Sequence, residues 1–360
     1  MERARGEVSL ELETLPNIDI NIKCGNSLLS RFALDADLSK ALKSIKYDVK
    51  AYRGFVNDYK NEKSRDVKRG LQKIIDSIKN DFRTEINNND PKQLKLKKLS
   101  GELFTLLNQR QIFELTDKEK KAQKEKQTKL ENDIRKLDNE IEEIKSNAIY
   151  KNAFEWRFEF PEVLGNDGEY EGFDLIIGNP PYIQLQKLNE NIKRALEQQQ
   201  FETYTKTGDI YQLFYEQGVR LLKENGQLSY ITSNKWMRTD YGKCTRSFLA
   251  NKYCTTLMID FGMTQLFESA TTYTNILLLE KKEANSTIRM CRVKDNYDEN
   301  ILLEDYVDFA AVEMENPGDK SWIAYDKKEY TLIKKSIAQG IPIKEWDIQI
   351  NYGLKTGYNE

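Results

Sequence analysis

Apolar positions recur with two different periods along this chain, and the change of period divides it. Between residues 31 and 150 the spacing is helical. Val67, Leu71, Ile74, Ile75, Ile78 and Phe82 fall on one face of a single helix. Asn87-Asn88-Asn89-Asp90-Pro91 breaks it, and a second apolar helix follows from about Leu94 to Phe113. Leu130, Ile134, Leu137, Ile141, Ile144 and Ala148 then alternate steps of four and three, the seam of a coiled coil. The spacing predicts an antiparallel helical arm packed on the second helix; a dimerising or DNA-tracking arm is the alternative.

On either side of this zone the period shortens. Ile18-Asp19-Ile20-Asn21-Ile22-Lys23-Cys24 alternates apolar and polar residues, which predicts a strand ending in the Gly25-Asn26-Ser27 turn. After residue 150, short apolar runs alternate with helical ones. Strands are expected at Phe173–Gly178, Leu228–Thr232, Leu257–Phe261 and Asn275–Leu279, a helix at Asp209–Leu222, a turn at Asn225-Gly226 and a late helix at Lys327–Ala338. Continuous apolar strands with helices between them predict a mostly parallel, doubly covered sheet. The fold class is therefore α/β with a large α-helical insertion.

Composition narrows the chemistry. The chain has no histidine, which removes Ser-His-Asp and Cys-His nucleophile systems, HExxH zinc sites and a histidine general base. The four cysteines, Cys24, Cys244, Cys254 and Cys291, show no CxxC spacing, so no metal site is expected and they read as reduced thiols of a cytoplasmic protein. Basic and acidic residues number 56 and 58, so any nucleic-acid surface must be local. No apolar run approaches the ~20 residues of a membrane span, and no membrane partner is expected.

One tetrapeptide carries chemistry. Asn179-Pro180-Pro181-Tyr182 follows the strand at 173–178 directly, and the carboxyl ends of strands are where open α/β sheets bind ligands. Each proline fixes its own φ, lacks an N–H and holds its predecessor extended. The Asn179 side-chain oxygen and the Pro180 carbonyl are thereby offered as two acceptors that no local N–H competes for. An exocyclic amine is a poor nucleophile because its lone pair is delocalised into the ring. Two acceptors taking its two N–H groups favour a pyramidal nitrogen that can attack a sulfonium methyl in line. Tyr182 supplies a face on which a base taken out of the duplex can stack. No general base is required.

At these residues the chain resembles the γ-type N6-adenine DNA methyltransferases, and within them the methyltransferase part of Type IIG restriction–modification enzymes. The segments that carry the resemblance stand in order: Ile22–Leu28, Phe154–Val163, Phe173–Tyr182, Gly208–Phe214, Ser233–Met237, Asp260-Phe261-Gly262, Leu266–Thr271 and Gly353–Glu360. The resemblance implies a Rossmann-like class I S-adenosylmethionine-dependent methyltransferase sheet. It divides the chain into a third-strand region of the core (1–30), the helical insertion (31–150), the catalytic core (151–290) and a linker with the start of a target-recognition domain (291–360).

It also implies roles. Asn179, Pro180, Pro181 and Tyr182 would be catalytic, Tyr182 and Phe267 would stack on the flipped adenine, and Asn26, Asn179 and Asp209 would contact S-adenosylmethionine. Lys235, Arg238, Lys243 and Arg246 are candidates for phosphate contacts with double-stranded DNA. Three of these positions keep an ordinary reading beside the functional one: Asn26 as a turn residue, Asp209 as a helix N-cap, Phe267 as core. The family places a Gly-rich cofactor loop upstream of the Asn26 segment, yet only about 25 residues precede it and no GxG occurs in the chain. No nuclease cluster is evident, since Asp90-Pro91-Lys92 lacks a strand context. The expectation is a fragment whose cofactor-binding and nuclease segments lie upstream and whose target-recognition domain lies downstream. Methylation of protein glutamine or RNA amino groups by the same motif, and a non-catalytic scaffold, are the competing functions.

Overall fold

A computed structural model describes residues 17–30, 34, 47–89, 91–108, 117–146, 153–264, 266–267, 272–294, 297 and 300–348. The chain forms two compact units, residues 1–173 with 187–201, and residues 174–186 with 202–360.

The first unit is helical. Helices α1 (Ile18–Asn21), α2 (Val49–Asn61), α3 (Arg65–Asn89), α4 (Pro91–Asn108), α5 (Asp117–Ser146) and α6 (Trp156–Glu159) belong to it. Asp48 starts α2 by accepting a hydrogen bond from the Ala51 N–H at 2.7 Å. Val49, Tyr52, Val56 and Tyr59, spaced by three and four, bury one face of α2 against Ile75 and Ile78 of α3 and against Phe158 and Leu164. The Tyr52 hydroxyl donates to the Phe158 carbonyl at 2.6 Å, and Lys79 pairs with Glu159 at 2.7 Å. The Phe154–Val163 block thus closes the helical core, with Phe154, Trp156, Phe160 and Phe173 in an aromatic cluster at centroid distances of 4.7–6.1 Å. Of the expected α3 stripe, Val67 is exposed and Leu71 and Ile74 pack at the margin.

The heptad seam forms the expected hairpin. Helix α5 packs on α4, and an ion pair from Lys92, at the start of α4, to Glu140, late in α5, shows that the two run antiparallel (3.3 Å). Leu130, Leu137 and Ile141 are buried and Ile134 is half-buried. The side chain of Ile144, and Ala148 altogether, lie outside the described residues. So do residues 1–16, Asp90, 109–116, 268–271 and the whole of 349–360, where the Gly353–Glu360 resemblance falls.

The strand expected at Ile18–Cys24 is not formed. Asn17 adopts φ +61°, and Ile18–Asn21 makes one helical turn closed by Asn21 N–H to the Asn17 carbonyl (3.0 Å). An alternating sequence becomes a strand only where a ladder partner exists. Here the local pairing is a single parallel bridge, Asn26 to Ala153, and Ile20 instead joins the Val49–Tyr52 core.

The second unit holds a six-stranded sheet in the order β1-β2-β4-β3-β5-β6: β1 (Phe173–Gly178, whose first residue belongs to the helical unit), β2 (Leu222–Ser233), β3 (Cys254–Asp260), β4 (Thr274–Glu280), β5 (Thr287–Arg292) and β6 (Val312–Glu315). One face is covered by α8 (Tyr211–Leu221) and α9 (Lys243–Lys252), which follow α7 (Glu190–Gln198) of the first unit. Tyr211, Tyr215 and Val219 meet Leu228, Met258, Leu277 and Met290 there. Ile259, Ile276 and Cys291, on the opposite face, pack under Val307 of α10 (Leu303–Ala310). Helix α11 (Lys327–Gln339) ends the described secondary structure apart from a short turn at 343–345.

The sheet is mixed, not mostly parallel, and only in part doubly covered: α10 packs on the opposite face near β3 and β5, while Leu175 and Ile177 of β1 are exposed. β2 and β3 run parallel to each other through the α9 crossover, and β4 lies between them antiparallel to both. β5 is parallel to β3 and β6 antiparallel to β5. Only thirteen residues separate β3 from β4, without a helix among those described, and an antiparallel return needs no crossover helix. The expected Asn225-Gly226 turn lies inside β2. Asn225 takes φ +63°, yet its N–H and the Gly226 carbonyl both bond to Lys281 at 2.9 Å.

Candidate active site at the end of the first strand

The Asn179–Tyr182 segment leaves β1 and runs beside β2 and α8. Asn179 and Pro181 are exposed, Pro180 is buried and Tyr182 is half-buried. The Tyr182 hydroxyl donates to the Ile231 carbonyl at 3.4 Å, and its ring stands edge-on to Tyr211, with centroids 6.2 Å apart. Burial raises the Tyr182 pKa above the ordinary phenol value, so the ring is neutral at physiological pH. The segment's exit is held by a short bridge. Leu185 N–H donates to the Gly208 carbonyl (2.9 Å), and Ile210 N–H to the Ile183 carbonyl (2.8 Å).

Asp209 sits in that bridge, buried. Its Oδ2 accepts from the Tyr241 hydroxyl at 3.1 Å, and it does not cap α8: Ile210 precedes the helix with helical φ and ψ and no side-chain cap. Burial, then the neighbouring Tyr241 and Asp209, push the Tyr211 hydroxyl pKa far up. Asn26 belongs to the helical unit, where its side-chain oxygen accepts from Leu28 N–H (3.2 Å), the ordinary use of Asn in a turn. One side-chain oxygen of each of these two cofactor candidates is thus engaged within the protein.

Phe267 is half-buried in the connection from β3 to β4. The root of that connection is well determined. Buried Asp260 accepts from Asn234 Nδ2 (2.9 Å), from Gly262 N–H (3.0 Å) and from Arg238 (3.2 Å). Asn234 also donates its main-chain N–H to the Tyr273 carbonyl at 3.0 Å, so it touches both ends of the connection.

The four basic candidates separate in kind. Lys235 is exposed, Arg238 is half-exposed on Asp260, and Lys243 pairs with Asp319 at 3.3 Å. Arg246 is buried, and its guanidinium donates to the carbonyls of Trp236 (2.6 Å), Thr239 (2.8 Å) and Asp319 (2.9 Å). It closes a loop and does not face a phosphate, which corrects the expectation for this residue. The sequence places Arg246 after the strand at 228–232 and gives no sign of the helix that carries it or of the carbonyls that converge on it. Gln212, Asn234 and Tyr241, which organise the site, escape sequence reasoning; Gln212, a polar residue inside an apolar helix face, is the one signal for them.

Residues 17–267, more than half of the chain and inclusive of every candidate just described, match the model of the Eco57I restriction-modification methylase family. The chain belongs to that family. Among curated members, the Type II restriction enzyme and methyltransferase RM.Eco57I of Escherichia coli is 39% identical over 126 residues, 34% of this chain and 12% of that protein. The Type II methyltransferase M.XhoI of Xanthomonas vasicola is 27% identical over 202 residues, 51% of this chain and 36% of that protein. M.AccI of Acinetobacter calcoaceticus, also a Type II methyltransferase, is 26% identical over 231 residues, 59% and 42% respectively. The matched part therefore spans well under two-thirds of these relatives. The solved type IIG restriction endonuclease BpuSI overlays 33% of the chain and 15% of its own at 19% identity and TM-score 0.29. Among the described residues there is no cluster of three metal-ligating side chains and no helix long and apolar enough to cross a membrane.

Proposed function

We propose that this Eco57I-family methylase carries the catalytic motif of an adenine-specific DNA methyltransferase of a restriction–modification system. Its substrates would be S-adenosylmethionine and double-stranded DNA, in the cytoplasm of a bacterium or archaeon. The observation that carries the reading is Asn179-Pro180-Pro181-Tyr182 at the carboxyl end of β1, with Asn179 exposed and the chain held on both sides of the motif.

The Asn179 side-chain oxygen and the Pro180 carbonyl accept the two N–H groups of the N6 amine and localise its lone pair. Acceptors already in place where positive charge develops cost no reorganisation in the transition state. The nitrogen takes the methyl group as the sulfur–carbon bond breaks, and the surplus amine proton passes to solvent. Tyr182 stacks on the flipped adenine and Phe267 walls it from the other side, each stacking contact being worth about 1–3 kcal/mol. Lys235, Arg238 and Lys243 contact phosphates. Asn179 and Asp209 contact S-adenosylmethionine.

The test is transfer of labelled methyl from S-adenosylmethionine to plasmid DNA by the full-length product of the gene, followed by nucleoside mass spectrometry. N6-methyladenine from the wild type and none from Asn179→Ala is the expected result. Methyl on cytosine, or transfer that survives Asn179→Ala, would overturn it.

A further inference from the structure

The bridge that holds the exit of the Asn179–Tyr182 segment is too short to hold itself. Two hydrogen bonds, Leu185 N–H to Gly208 and Ile210 N–H to Ile183, join it, and isolated two-stranded pairings are marginal in water. Its outer strand, Gly208-Asp209-Ile210, needs a brace, and one buried side chain supplies it. Gln212 Oε1 accepts from the Asp209 N–H at 2.9 Å, while its Nε2 donates to Thr245 Oγ1 at 2.7 Å and to the Tyr241 carbonyl at 3.2 Å. Acceptor and donors are all used, and they link the bridge strand to α9 and to the turn before it. Gly208 makes room for this: a Cβ there would lie 2.4 Å from Gln212 Oε1 and 2.5 Å from Thr205 Oγ1. The Tyr241 hydroxyl, on Asp209 Oδ2, fastens the same strand from outside.

We propose that Gln212 is a positioning residue for the methylation motif. It fixes the Gly208–Ile210 strand, the strand fixes Ile183–Leu185, and the Asn179–Tyr182 segment is thereby tethered at its exit as β1 tethers it at its entry. The inference rests on the reading of Tyr182 as the stacking face for a flipped base. The Tyr182 ring is steadied by the long hydrogen bond to Ile231 and by Tyr211, and the exit tether fixes the backbone that carries it, so that ring and acceptors keep the distances that stacking and alignment need.

The experiment uses the protein with Gln212→Leu, which keeps most of the volume and removes the polar end, and Gln212→Glu, which keeps the acceptor for Asp209 N–H and loses the donors. Amide exchange at Leu185 and Ile210 reads the tether. Fluorescence of 2-aminopurine opposite an abasic site in a short duplex reads base stacking without requiring a known target sequence, with Tyr182→Ala as reference. Gln212→Leu is expected to speed both amides roughly tenfold, the worth of one buried hydrogen bond. It is also expected to shift the 2-aminopurine signal toward that of Tyr182→Ala, with Gln212→Glu intermediate and duplex affinity kept. Unchanged exchange overturns the tether. Faster exchange with a wild-type 2-aminopurine signal makes Gln212 merely structural and overturns the positioning role. A 2-aminopurine signal identical in wild type and Tyr182→Ala overturns the stacking reading itself, whatever the exchange shows, and the positioning role falls with it. Should Gln212→Leu fail to fold, Tyr241→Phe, which frees the Asp209 carboxylate alone, takes its place with the same two readouts.

Discussion

Arg246→Met separates a loop-closing arginine from a DNA-contacting one. Methionine keeps the apolar stem and removes the guanidinium, so packing changes little and three carbonyls, that of Trp236 buried and those of Thr239 and Asp319 partly so, lose their donor. Hydrogen bonds from a charged donor are worth about 1.5–3 kcal/mol each. Part of that sum is returned, because burial opposes the charge, as the lowered Arg246 pKa shows, and because water can reach Thr239 and Asp319 once the fork is gone. A net loss of roughly 3–5 kcal/mol remains, within the range for breaking a buried charged network. For a unit of this size a kcal/mol moves Tm by about 2–4 °C, so the sheet-bearing unit should melt roughly 10 °C lower. Thermal scans followed by tryptophan fluorescence suit the assay, since Trp236, whose carbonyl Arg246 holds, and Trp322 are fully buried and adjacent (centroids 5.3 Å). The competing account makes the opposite forecast: a phosphate contact would leave Tm within about 1 °C and lower the salt slope of duplex binding by about one. That pattern would refute the assignment.

Three further expectations can be checked by simpler means. Gly218→Ala adds helix propensity worth about 1 kcal/mol, but its Cβ would lie 2.3 Å from Leu228 Cδ1 and 2.8 Å from the Tyr230 hydroxyl oxygen. Overpacking should win by about 1–3 kcal/mol and lower the urea midpoint, whereas a higher midpoint would mean that α8 does not approach β2 so closely. Leu137→Asp puts a carboxylate in the α4–α5 seam and should remove helical circular dichroism without moving the tryptophan-monitored transition; unchanged helicity would mean that the seam is not a packing surface. The Asp326 carboxyl, held below the usual carboxylate range by the Glu329 N–H and by Lys294, caps α11. A depressed pKa means stabilisation that is present above the ordinary carboxylate pKa and lost as pH falls through the lowered one. NMR of α11 should show its first turn fraying only under acid, and Asp326→Asn should flatten that dependence.

Much of the candidate site is legible in the sequence. The strand at 173–178, the motif after it, the helix from Tyr211 and the hairpin arm all follow from local rules: period, breakers and the geometry that proline imposes. Asn179 at a strand's carboxyl end needs nothing beyond its neighbours in the chain. Residues whose roles depend on distant partners were read less well. Asp209 could be an N-cap or a ligand by sequence, and it proved to be the acceptor for Tyr241, 32 residues away. Arg246 looked like Lys235 in the sequence and lies buried on carbonyls from three separate positions.

Neighbouring residues alone supply the proposed chemistry, two acceptors and an aromatic ring without any imidazole, and, separately, a helical hairpin whose seam is written in its heptads. Strand direction and side-chain partnership arise only in the folded chain. The sheet became mixed because β4 returns without a crossover helix and inserts between β2 and β3. The Ile18–Cys24 alternation became a helical turn, having no ladder to join among the described residues. Hydrophobic period is a property of neighbouring residues, so a chain states it openly. Ladder pairing and buried hydrogen bonds join residues tens of positions apart, and they exist only once the fold has brought those residues together.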